Sequence, residues 1–187
     1  GKELASLGFK VIQRMDLRRE ALPFMKDLVE VWGETGDLSV FEQGKVFYIE
    51  IIRGNHALTI SAAIGQRLPA YCTASGKLFL SHLPEAELDG LLEQPLSKKT
   101  ENTVVNINDL KKQFEMVRKN GYAVDYEEFE LGVCAIAAPI YNRQGKIVAA
   151  IGSPSPISRM TPERISDIAA AFKKAAIAIS QRMGYGQ

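Results

Sequence analysis

Two very short links decide most of what this chain can fold into. "LSVFE" and "KVFYIEII" are separated by Gln43-Gly44 alone, and "VCAIAAPIY" and "KIVAAIG" by the turn "NRQG" at 142–145. Apolar runs joined so tightly pair antiparallel, because a parallel return needs a crossover of about a dozen residues or more. A doubly wound parallel sheet is therefore not expected. The chain reads as α+β, a mostly antiparallel sheet with helices packed on it. "ALTISAAIG" is expected to supply a third strand and "YAVDYEEF" another.

Helical spacing accounts for much of the remainder. Residues 2–15 place Leu4, Leu7, Val11, Ile12 and Met15 on one helical face, with Gly8 weakening it. Asp16 is a cap for a second helix that buries Leu17, Ala21, Met25, Leu28 and Trp32. Pro23 inside it costs a backbone hydrogen bond and predicts a kink or a restart, and "GETGD" at 33–37 ends it. A short helix is expected from about Ala74 to His82, and another from Pro84 through Leu88, Leu91 and Leu92. "EQPLSKKTENTVVN" reads as a polar connection. Asn108 or Asp109 should cap a helix through Leu110, Phe114 and Val117, ended by Gly121. Thr161-Pro162 is an N-cap followed by Pro at the first helical position, opening a helix that buries Ile165, Ile168, Phe172, Ala176 and Ile179.

Composition narrows the function classes. A length of 187 residues suits one domain with a real core, and a net charge of +1 gives no general reason to bind nucleic acid or an anionic membrane. The longest uncharged apolar run, "LGVCAIAAPI" at 131–140, is half of what a membrane helix needs, and no signal-peptide pattern is visible. Cys72 and Cys134 lie far apart without CxxC spacing, which suits a reduced, cytoplasmic setting.

"LPAYCTASGKLFLSHLP" at 68–84 is the most suggestive stretch. Small residues Thr73-Ala74-Ser75-Gly76 at a helix entrance leave backbone N–H groups free for an anion, or pack as a tight turn. A Walker phosphate loop is excluded, since Tyr71 and Leu78 stand where Gly and Ser or Thr would be required. "VDYEEFE" puts Asp125 and Glu127 on one strand face, a carboxylate pair or a solvated edge. His56 and His82 have no ligand-spaced partners, so no metal and no cofactor is expected. With no Ser/His/Asp set or dinucleotide fingerprint, and both cysteines reading as buried small hydrophobes, the chain is not expected to be an enzyme.

Four separated motifs then agree. "IGQRLPAYCTASGKLFLSHLPEAEL", "RKNGYAVDYEEFELGV", "AIAAPIYNRQGKIVAAI" and "PISRMTPERI" resemble, in order and spacing, the effector-binding domain of IclR-type bacterial transcriptional regulators. The resemblance implies a GAF-like fold, dimers or tetramers, and a small-molecule effector, usually an organic acid, held in the cup of the sheet. Residues 1–15 would be the segment leading from a preceding winged helix-turn-helix domain, through which operator DNA is bound, and 16–187 the effector-binding domain. No membrane is implied.

Carried over position by position, the resemblance makes Ala74 and Ser75 the N–H donors to a carboxylate, Asp125 the polar anchor, and Ala57 and Ile60 the apolar wall. Three positions depart from the family. Ala135 stands where relatives have Cys, with Cys134 one residue out, and Gly152 and Pro154 stand where they have Ser. A wider, more apolar cup preferring aromatic or longer-chain acids over the smallest keto acids is the resulting expectation. Two other readings stay open: a GAF-like thiol enzyme using Cys72 or Cys134, and an oligomerisation module with a vestigial pocket.

Overall fold

A computed structural model describes residues 2–92 and 95–186. The elements run α1 Lys2–Trp32, β1 Gly36–Glu42, β2 Lys45–Ile52, β3 Arg67–Pro69, α2 Ala74–Leu80, α3 Glu85–Leu92, α4 Ile107–Asn120, β4 Ala123–Tyr126, β5 Val133–Tyr141, β6 Ile147–Pro156 and α5 Pro162–Arg182, with a 3₁₀ turn at Ile157–Arg159 before α5. The strands form one six-stranded sheet in the order β3-β2-β1-β6-β5-β4. Every pairing is antiparallel. Both short links are the expected hairpins, and Gln43 and Gly44 take positive φ (51° and 75°), as a tight two-residue turn requires.

Strand alternation splits the core in two. Leu38, Val40, Ile136, Ala138, Ile140, Ala149 and Ile151 meet Leu17, Ala21 and Met25 of α1 and Ile168, Phe172, Ala176 and Ile179 of α5. Val46, Ala137 and Ala150 on the opposite face meet Ala74 and Leu78 of α2, Leu88 and Leu92 of α3, and Leu110, Phe114 and Val117 of α4. Alanine at 137 and 150 lets α2 approach the sheet closely. Thr161 accepts from the Arg164 N–H, and Gly121 ends α4 at φ 71°, both as expected.

Several local expectations are corrected. The first two helices are one 31-residue helix that runs through Asp16 and Pro23. Pro23 is exposed, so water can take the carbonyl its missing N–H leaves free. The side chains of Leu4, Leu7 and Ile12 lie outside the described residues, whereas Val11 and Met15 are 49% and 65% exposed. Asn106, not Asn108 or Asp109, caps α4 by accepting from the Asp109 N–H. "ALTISAAIG" is not a strand: most of 53–66 is irregular, and Thr35 Oγ1 donates to the Ile60 carbonyl at 3.1 Å where a ladder was expected. Ladder pairing to β2 begins at Arg67. No helix among the described residues is long and apolar enough to cross a membrane.

Candidate functional site

Where the α2 face of the sheet is left uncovered by the helices, it forms a cup. Asp37 of β1, Val46 and Tyr48 of β2, Asp125 of β4, Ala135 of β5 and Pro154 of β6 line it, and Ile60, Ser61 and Ala62 of the irregular 53–66 segment close one side. Thr73, Ala74 and Ser75 at the start of α2 close another. Its volume is about 70 Å³. A wider groove of about 480 Å³ runs beside α1 past Arg14, Leu17 and Val40, but no buried carboxyl lines it.

Register explains why these side chains converge. Residues directly opposite each other across an antiparallel pair share a face, and the pairs here are Asp125 with Ala135, Ala135 with Pro154, and Asp37 with Gly152. Six of the eight expected positions therefore meet in the cup: Ile60, Ala74, Ser75, Asp125, Ala135 and Pro154. Ala57 does not, because 53–66 is a loop and residue 57 is exposed. Gly152 sits behind Asp37 rather than on the lining. A Cβ there would lie 2.9 Å from Asp37 Oδ2 and 3.0 Å from Oδ1.

That contact fills the space that a missing side chain at 152 would otherwise leave in the cup. The Asp37 carboxyl occupies the space next to Gly152, and Tyr48, Ser61, Gln66 and Glu130 add polar groups to a lining that also holds Val46, Ile60, Leu68, Phe129 and Val133. The volume of about 70 Å³ is under half of the roughly 150 Å³ that accepts benzene in an engineered cavity. That volume suits a small occupant.

The α2 entrance packs as a tight turn and leaves two backbone donors without an acceptor among the described residues. A Cβ on Gly76 would collide with the Ala70 backbone, so glycine is demanded by packing. Thr73 makes no side-chain cap, and the turn bond is from the Lys77 N–H to the Thr73 carbonyl at 2.9 Å. Among the described residues nothing accepts from the N–H groups of Ala74 and Ser75.

The carboxylate pair expected on β4 is rearranged. The strand stops at Tyr126, and Glu127 turns the chain at φ 57°, so Asp125 and Glu127 share no face. Asp125 is buried rather than solvated, and its Oδ1 accepts from the Glu128 and Phe129 N–H groups at 2.8 and 3.4 Å. Burial pushes its carboxyl up to about 7, opposed by the Lys77 charge and those N–H bonds. Lys77, 2% exposed in α2, is ion-paired with Glu128, 5% exposed. Hydroxyls clasp the same turn: Thr100 donates to the Glu127 carbonyl at 2.6 Å and Thr103 to that of Glu128 at 2.7 Å.

Asp37 is the residue that sequence reasoning missed. It is 3% exposed, its Oδ1 has no hydrogen-bond partner, and burial lifts its carboxyl to about 7. The available signal was "GDLSVFE", where Asp37 and Ser39 alternate with Leu38 and Val40. A polar face of that kind ordinarily meets water; here it meets the cup and α2. Tyr48 feels both acids, since burial and the charges of Asp37 and Asp125 raise its phenol.

The thiols are inert. Cys72 and Cys134 are fully buried, and desolvation pushes both up to about 12, so neither supplies thiolate. His82 Nδ1 lies 3.0 Å from the Leu78 carbonyl at the end of α2, and His56 Nε2 lies 3.9 Å from Glu34. No metal-binding cluster occurs among the described residues.

Comparison with known proteins adds identity to this geometry. Residues 9–181 match the family described as "Bacterial transcriptional regulator IclR C-terminal". The HTH-type transcriptional regulator XynR of Escherichia coli is 32% identical over 186 residues, covering 99% of this chain and 74% of that protein. The crystal structure of IclR from Thermotoga maritima superposes with a TM-score of 0.88 at 33% identity, over 99% of this chain and 75% of the other. The C-terminal domain of the E. coli regulator KdgR gives 0.82 at 33% identity, over 91% and 99%.

Proposed function

We infer what the cup does from one premise: this chain belongs to the IclR family of bacterial transcriptional regulators, as their C-terminal domain. It is a GAF-like α+β domain of a regulator family, not of an enzyme family. The cup is the effector site of a cytoplasmic regulator, and the effector is a small carboxylate. Its anionic end lies against the free N–H groups of Ala74 and Ser75, and Asp125 holds a polar group at the other end. Residues 1–15 lead toward a winged helix-turn-helix domain that carries DNA binding, and 16–187 sense the ligand. Regulation follows from differential affinity for two arrangements of the assembled regulator, because a ligand that binds both equally shifts nothing.

One observation carries this reading. A small cup is lined on one side by Ala74 and Ser75, whose backbone N–H groups have no acceptor among the described residues, and by buried Asp125 on the other. A catalytic thiol has no support, since both cysteines are buried and held as thiols.

Calorimetric titration of two- to four-carbon carboxylates tests the site. Binding should saturate at one ligand per chain. Asp125→Asn keeps an acceptor for the turn bonds but loses the charge, and should weaken hydroxylated acids about tenfold while changing plain acids less. A broad thermal-shift screen with no stabilising carboxylate would favour an oligomerisation module with a vestigial pocket.

Assembly is the second expectation. Val11 at 49% exposure, Met15 at 65% and Val31 at 74% leave apolar side chains along α1 in water. A homodimer or homotetramer that covers them is expected. Light scattering at tens of micromolar, roughly the range of weak self-association, should give at least twice the monomer mass of 20.6 kDa. A monomer there would count against it.

A further inference from the structure

The lining of the cup has a charge imbalance that a simple carboxylate does not answer. Asp37, Asp125 and Glu130 all contribute to it, and among the described lining residues there is no Lys, Arg or His. The nearest buried cation, Lys77, is committed to Glu128. Asp37 is the sharpest case. It is almost fully buried, its Oδ1 is unpartnered, and its carboxyl is wedged against the Gly152 backbone, where a side chain would displace it. Asp125 and Tyr48 line the same cup.

We propose that the effector carries a protonated amine, taken by Asp37, while its carboxylate end lies on the Ala74 and Ser75 N–H groups. The second half of this statement rests on the reading of the cup as a carboxylate site; the first half does not. A ligand hydroxyl would supply one donor to Asp37 but leave the buried charge in place. An ammonium group supplies three donors and opposite charge, and a buried carboxylate is tolerated mainly when it is both paired and hydrogen-bonded. The volume of about 70 Å³ restricts the skeleton between the two charged ends to a few carbons. The ligand class is therefore a short amino acid, zwitterionic at neutral pH.

Four compounds of one size separate the possibilities: β-alanine, 3-hydroxypropionate, propionate and propylamine, each titrated calorimetrically into the whole chain and into Asp37→Asn. The amide keeps the shape of Asp37 and loses its charge. We expect β-alanine to bind about tenfold or more tighter than either acid, the usual scale for one desolvated charge pair. Asp37→Asn should erase that preference, so that β-alanine no longer binds tighter than propionate. The comparison among ligands on the unaltered chain does not depend on how the variant folds. If 3-hydroxypropionate or propionate binds as tightly as β-alanine, the amine is refuted and the carboxylate site stands. Propylamine binding that needs Asp37, with propionate not binding, would uphold the amine and refute the carboxylate end. If none of the four binds, the proposal is wrong.

Discussion

Lys77→Met is expected to destabilise the domain by about 3–5 kcal/mol, the cost of stranding one partner of a buried ion pair. The pair lies 3% and 7% exposed at its side chains, between the middle of α2 and the turn after β4. Removing the ammonium leaves Glu128 charged in the interior, where its Oε2 already lacks a hydrogen-bond partner. The damage also reaches the cup, because the Glu128 backbone N–H is held by Asp125 and α2 presents Ala74 and Ser75. For a domain of this length the loss corresponds to roughly 6–20 °C in melting temperature. Urea denaturation of Lys77→Met, Glu128→Leu and the double variant gives the coupling directly. The double variant should recover most of the loss, since an apolar pair of similar volume is often tolerated in place of buried charges. A single variant within about 1 kcal/mol of the parent would show that the pair does not hold α2 to the turn.

How much of this was legible in the sequence follows the range of the forces involved. Gln43-Gly44, "NRQG", Gly121 and Thr161-Pro162 announce themselves because turns and caps are decided within about four residues. "ALTISAAIG" misled for the same reason. Its alternation suits a strand, but its hydrogen bonds are decided elsewhere, at Thr35 and at the Gln66 and Gly65 contacts with Tyr48. The cup was legible only where family likeness fixed the register, at Ile60, Ala74, Ser75, Asp125, Ala135 and Pro154. Asp37 needed the β1–β6 pairing with Gly152, a partner more than a hundred positions away. The Lys77–Glu128 pair, 51 residues apart, leaves no local trace at all.

Asp37→Asn should stabilise the folded chain, and by an amount that grows with pH. The carboxyl rises from 3.8 to about 7 through burial, with no cation beside it to oppose the shift. A carboxyl raised in the folded state binds its proton more tightly there than in the unfolded chain, so stability is greatest below the unfolded value. It falls as pH climbs from about 4 toward 7 and is level above that. At 1.36 kcal/mol per pH unit, ionised Asp37 costs at most about 4 kcal/mol at pH 8 and about 1.5 at pH 5. The amide carries neither cost, so its advantage over the parent should widen by roughly 2–3 kcal/mol between those two pH values. Asp125 is raised in the same direction and faces the same cup with Tyr48 and Glu130. It titrates in both proteins, so the difference between them reports mainly Asp37. Denaturant melts of the two proteins at pH 5 and pH 8 give the four free energies required. An advantage that stays the same at both pH values would mean that Asp37 is not a desolvated, unpaired carboxyl, and that the cup has no standing demand for a cation.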